Sequence, residues 1–181
     1  MVFTGVAGGL AEQVRVGDVV VANQLMQHDM DASPLFPRHE VPLTGMTRFG
    51  AGVQLRDALL AAAPLAMRDL VQTLPRDQWL RIDFAHARVH QGLVISGDRF
   101  VSQSADSQEL QQRVPDALAV EMECAAMAQV CHDYGVPMAA VRIISDRADD
   151  SAHVDFPQFI RHIASNFSVA VLNRLLQNLP A

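Results

Sequence analysis

The sequence predicts an α/β fold, a sheet with helices packed on its faces. Segments of strand character alternate with segments of helical periodicity along all 181 residues. VPMAAVRII, residues 136–144, has the near-continuous apolar character of a strand buried on both faces. Half of the residues are hydrophobic, enough for the core of one soluble globular domain over residues 1–181. In such a sheet, ligands lie beyond the carboxyl ends of the strands.

The elements follow in order. MVFTG opens a β-rich run that leads into a glycine turn, GVAGGL, and GDVVVA at 17–22 reads as a second buried strand bounded by Gly17 and Asp18. Residues 27–53 carry Pro34, Pro37, Pro42, Gly45, Gly50 and Gly52, loop chemistry over a stretch long enough to be functional or to form an interface. From Val53 to about Thr73, Leu55, Leu59, Ala62, Ala63, Met67, Leu70 and Val71 recur at helical spacing, and Pro64 predicts a broken helix. Two strands are expected next, near Phe84–His90 and at GLVIS, 92–96, closed by Gly97 and Asp98. A helix over Glu123–Tyr134 is expected to end on a left-handed Gly135. Ser145 and Asp146 then end the buried strand. Asp155 reads as the N-cap of a last helix whose Phe159, Ile160, Ile163, Phe167, Val171, Leu172 and Leu175 form one stripe.

Charge narrows the function classes. The net charge is −6 and the 14 Lys and Arg are scattered, so there is no electrostatic footprint for nucleic acid or an anionic membrane. Apolar runs such as VAVL at 169–172 fall far short of the ~20 residues of a membrane span, and no leader pattern precedes the first strand. A cytoplasmic protein with a small-molecule ligand is the expectation. Cys124 and Cys131 are two helical turns apart, roughly 10 Å, too far to bridge, and read as buried thiols.

Chemistry concentrates at two strand ends. In AVEMECAA, 119–126, Glu121 and Glu123 flank Met122 where a strand of small residues turns into a helix. Either acid serves as a helix-start carboxylate, worth ~0.3–1 kcal/mol against the helix dipole. Alternatively, one accepts hydrogen bonds from sugar hydroxyls while Met122 packs on the sugar's apolar face. Asp146 reads equally as a turn aspartate or as a proton donor in a crevice, where desolvation favours the protonated carboxyl. Gly5, Gly8 and Gly9 permit close backbone approach without matching a dinucleotide or P-loop fingerprint. No serine stands in a nucleophile elbow, and Ser96 lies in VISGD. His28, Asp29 and Asp31 lack a second cluster that would complete a metal site, so no metal is expected and a structural or interface role is.

Together TGVAGGL at 4–10, GDVVVA at 17–22, HDMD at 28–31, VISGDRFV at 94–101, AVEMECAAMAQVC at 119–131 and VRIISDRADD at 141–150 resemble, in this order, the nucleoside phosphorylase and nucleosidase superfamily. Most closely they resemble the 5′-methylthioadenosine/S-adenosylhomocysteine nucleosidases, from residue 2 to nearly the end. The resemblance implies a nucleoside phosphorylase-like mixed sheet with helices on both faces. It further implies hydrolysis of the N-glycosidic bond of an adenine nucleoside with water as acceptor, no cofactor, and a homodimer. Phosphorolysis by a purine nucleoside phosphorylase and a non-catalytic nucleoside-binding relative stand as alternatives.

Carried onto this sequence, the resemblance makes Asp146 the donor of a proton to the purine N7, with Ser145 orienting it. Glu123 would grip the ribose hydroxyls and Met122 would pack on the sugar, with Glu121 shaping the turn. Phe100 would stack on the base, the Val101 backbone would read its edge, Ala7 and Gly8 would lie near sugar and base, and Phe156 would close over the nucleoside. The loop from His28 to Pro42 matches the region that reaches into a neighbour's site.

Members of the family carry strands ahead of the glycine turn, with a glutamate that activates the attacking water. This sequence opens at that turn, and Glu12 stands after it, in a different place. Exposed sheet edges, an incomplete 5′-substituent pocket and an impaired or absent activity are the corresponding expectations.

Overall fold

The computed structural model describes residues 1–75, 84, 86–149, 156 and 159–178. Among these residues six strands form one mixed sheet: β1 (Val2–Gly9), β2 (Val19–Gln27), β3 (Phe49–Gly50), β4 (Val89–Ser96), β5 (Ala117–Glu121) and β6 (Ala139–Asp146). The helices are α1 (Val53–Thr73), α2 (Ser104–Arg113), α3 (Cys124–Asp133) and α4 (Ser165–Asn178), the last entered through a π-helical turn at Ile160–Ala164.

Strand order is β3-β2-β4-β5-β1-β6, and β2 also pairs with β6, so five strands close into a ring. The closure was not legible in the sequence. It arises because the first residues of β2, Val19–Val21, bond β6 while Gln24 and Leu25 bond β3 on the same side. Exposed edges are therefore fewer than expected. Toward β5, though, the pairing of β1 is confined among the described residues to Gly8 and Gly9, and Val2–Val6 remain half-buried.

Alternation along β2 and β6 sorts side chains to two faces. Val19, Val21, Ala139, Val141 and Ile143 meet α1 and α4 through Leu59, Ala63, Met67, Phe167 and Val171. Val20, Ala22, Ala140 and Ile144 meet α3 through Cys124, Ala125 and Ala128. On the β4–β5 side, Leu93, Ile95 and Val120 pack under Leu110 of α2. Helices thus cover both faces, as the sequence predicts. Both cysteines are buried free thiols, and burial pushes the Cys124 thiol well above its ordinary range.

Several local expectations change. The glycine segment TGVAGG is strand, not turn, because β6 pairs with it residue by residue. α1 is continuous: Pro64 lies on its exposed side, where one lost N–H leaves the packed face intact. The two strands expected over 84–96 are one, since Gly92 continues β4 with Leu118 of β5 packed tightly against it. Gly135 does adopt a left-handed φ of 64° after α3, and Val136 N–H returns to the Cys131 carbonyl at 2.7 Å. In the last helix Phe159, Ile163, Phe167, Val171 and Leu175 are buried, whereas Ile160 is exposed. The Asp155 cap lies outside the described residues.

Candidate active site

The carboxyl ends of β5 and β6 and the segment after β4 converge on a cavity of about 170 Å³. Its lining includes Ala7, Gly8, Phe100, Val101, Met122, Glu123, Ser145, Asp146 and Phe156, so the structure brings every site residue expected from the sequence to one place. Val6, Arg99, Val120 and Glu121 complete the wall.

A register shift builds the Asp146 corner. β1 and β6 run in parallel register through Ala7 and Ile144, but Gly8 pairs with Asp146, so Ser145 is bulged out. The bulge turns Asp146 to the pocket side. Ser145 Oγ donates to Asp146 Oδ2 at 2.7 Å, and Ala148 N–H donates to Oδ1 at 2.8 Å. To bring that N–H round, Ala148 adopts a φ of 51°, unfavourable for a residue with a Cβ. Asp146 and Ser145 are both buried.

The two glutamates divide sharply. Glu123 is exposed to the pocket, while Glu121 is buried and paired with the equally buried Arg142, whose Nη2 lies 2.9 Å from Oε2. Glu121 also accepts from Ser96 Oγ and from the backbone N–H of Glu123 and Cys124. Burial alone would raise the Glu121 carboxyl, but the Arg142 charge and these hydrogen bonds outweigh it and hold the group below its ordinary value. Glu121 is a fixed anion. Arg142 packs over the Phe3 ring at 4.4 Å and against Gly5, where a Cβ would come within 3.0 Å of Nη1.

The aromatic side of the pocket is more open. Phe100 and Phe156 meet edge to face, with centroids 5.4 Å apart, and Phe100 is 41% and Met122 39% exposed. That exposure leaves apolar surface for a flat ligand. Val101 is buried beneath, and Arg99 is held at 2.5 Å by Asp106 of α2.

Ser96 and Arg142 were missed as site-supporting residues. Arg142 is the lone charge within the apolar run VPMAAVRII, a signal that a buried partner must exist. Nothing in VISGD singles out Ser96. The HDMD segment holds loops together: Asp29 accepts from Asp98 N–H at 2.7 Å, Asp31 from Ser33, and the buried His28 packs on Gly97.

A family model described as Phosphorylase superfamily matches residues 1–177. The chain belongs to the phosphorylase superfamily. Among solved superfamily structures, the 5′-methylthioadenosine/S-adenosylhomocysteine nucleosidase of Neisseria meningitidis, in complex with methylthio-immucillin-A, is 34% identical with a TM-score of 0.80, over 98% of this chain and 69% of that one. A Helicobacter pylori nucleosidase mutant with 5′-methylthioadenosine in its active site is 29% identical with a TM-score of 0.79, over 98% and 68%. The futalosine hydrolase of Helicobacter pylori is 29% identical with a TM-score of 0.76, over 98% and 67%.

Proposed function

We propose that this chain hydrolyses the N-glycosidic bond of 5′-methylthioadenosine and S-adenosylhomocysteine, releasing adenine. The observation that carries the reading is the meeting of a buried, doubly hydrogen-bonded Asp146 and an exposed Glu123 across one cavity that also presents Phe100 and Phe156. Likeness to nucleosidases, one with 5′-methylthioadenosine in its active site, supports the choice of substrate.

In this mechanism the adenine stacks on Phe100, with Phe156 across it and the Val101 backbone at its edge. Glu123 accepts hydrogen bonds from the ribose hydroxyls and Met122 packs on the ribose, while Ala7 and Gly8 supply a close backbone wall. As the bond between C1′ and N9 breaks, positive charge grows on the ribose and negative charge on the base. Asp146 passes its proton to N7, cancelling the charge where it develops, an effect worth ~10²–10⁴-fold in rate. Hydrogen bonds from the ribose hydroxyls to Glu123 that strengthen as the sugar becomes cationic add to this. Water adds to C1′, and its proton leaves with solvent. Glu121, locked to Arg142 as an anion, holds structure and does not carry protons. No cofactor enters. We read the chain, on the same likeness, as one domain working as a cytoplasmic homodimer.

The test is adenine release from 5′-methylthioadenosine by the purified chain, with and without phosphate. Any release is expected without phosphate. Release only with phosphate would replace hydrolysis by phosphorolysis, and a folded chain that binds the nucleoside without releasing adenine would be a binding protein.

A further inference from the structure

The first turn of α3 is capped in an unusual way. A helix N-terminus leaves its first N–H groups without intrahelical partners, and the side chain of the N-cap residue ordinarily takes one of them. Here Glu123 is the N-cap residue, yet its side chain makes no capping bond. The N–H of Glu123 donates to Glu121 at 3.2 Å, that of Cys124 to Glu121 at 2.9 Å, and that of Ala125 to Ser96 Oγ at 2.8 Å. Ser96 in turn donates its hydroxyl to Glu121. The capping work has moved two residues back and across to β4.

We propose that Glu121 is a positioning residue: gripped by Arg142 and Ser96, it caps α3 in place of Glu123 and so frees and aims the Glu123 carboxylate at the ligand. This rests on the ribose-binding role proposed above for Glu123. Three consequences of the geometry support it. A Glu123 that capped its own helix would turn its carboxylate toward the N–H groups and away from the cavity it lines. With the N–H groups of Glu123, Cys124 and Ala125 already bound, those three no longer compete with the ligand for Glu123. Arg142 also neutralises Glu121, so Glu121 adds no net negative charge to repel the neighbouring Glu123.

A double-substitution cycle with Glu121→Gln and Glu123→Gln tests it, read as turnover of 5′-methylthioadenosine, or as its Kd if the chain binds without turnover. Gln at 121 still fits between the N–H groups and Arg142 but lacks the charge that holds them. Each single substitution is expected to cost about tenfold or more, and the pair no more than the worse single, since both remove one function. Glu121→Gln combined with Phe100→Ala, on the aromatic wall and outside the Glu121 hydrogen-bond network, is expected to be additive. A purely structural role for Glu121 would give additivity with both partners, and that result overturns the proposal. Ser96→Ala is the milder second probe should Glu121→Gln fail to give a cooperative melt; it must show the same coupling to Glu123→Gln. If Glu123→Gln alone changes neither turnover nor Kd, the ribose-binding reading fails first; if it does and the cycles are additive, only the positioning role fails.

Discussion

Gly8 and Asp146 face each other across the β1–β6 ladder so closely that a Cβ on Gly8 would lie 2.9 Å from Asp146 Oδ1 and 2.9 Å from the Ala148 Cβ. The glycine is therefore a condition for the Asp146 rotamer, and backbone freedom is not its purpose. Gly8→Ala must push either the carboxylate or the Ala148 backbone that donates to it. We expect turnover to fall at least tenfold, with a stability loss of ~1–3 kcal/mol typical of overpacking. Steady-state kinetics with a urea melt checks this, and normal kinetics in Gly8→Ala would show that Asp146 needs no such fixing.

Asp146→Asn separates proton donation from shape. The amide oxygen can still accept from Ala148 N–H and the amide nitrogen can donate to Ser145 Oγ, so both contacts survive in altered form. Turnover is expected to drop ~10²–10⁴-fold while substrate Kd moves little. A comparable weakening of both would make Asp146 a binding group and remove the N7 protonation step.

Which residues gather at the cavity was more legible than which strands pair, and these same residues show why. Asp146 and Glu123 stand out as acids at the ends of apolar strands, although each taken alone reads equally as a turn or helix-start carboxylate. Glu121 and Arg142 were harder to separate from that signal: their pairing links two strands through one buried bond that no local pattern encodes. The ring closure depends on β2 dividing one side between β6 and β3, and hydrophobic alternation specifies faces but not partners. The glycine run reads as turn in the sequence for a related reason. Glycine marks close approach as well as reversal, and only the partner strand tells which.

Stability should fall from neutral toward acid pH through two histidines. Burial holds His28 below its ordinary 6.5, and His39 is lowered likewise, first by burial and then by the charge of Arg38. Both therefore fold neutral, and below about 6.5 the unfolded chain binds more protons than the folded one. Their contribution is complete above that value and is lost as pH drops toward the lowered folded values. Melting temperatures at pH 7.5 and 5.5, chosen as roughly one unit either side of the ordinary histidine value, should differ less in His28→Gln/His39→Asn than in the native chain. Asn is chosen at 39 because that residue has a φ of 69°. An equal difference in both proteins would assign the acid sensitivity elsewhere.

Removing Arg142 tests what the buried pair does for the fold. Arg142→Met leaves the Glu121 carboxylate buried beside β1 with hydrogen bonds but no counter-charge, a change that typically costs ~3–5 kcal/mol. The cost is pH-dependent in a defined direction. In the native chain Arg142 helps hold the Glu121 carboxyl below its ordinary value, so this stability is present above that value and is lost as acid protonates the group. In Arg142→Met the carboxyl rises, and the deficit relative to the native chain should shrink as pH falls toward 4.5, the ordinary value for Glu. Glu121→Gln/Arg142→Met carries no buried charge and should recover much of the loss at neutral pH, because replacing both members of a buried pair is tolerated better than stranding one. Urea unfolding of the three proteins at two pH values decides. If the double variant is as unstable as Arg142→Met, the loss is one of packing around Phe3 and Gly5, and the ion pair does not dominate this corner of the core.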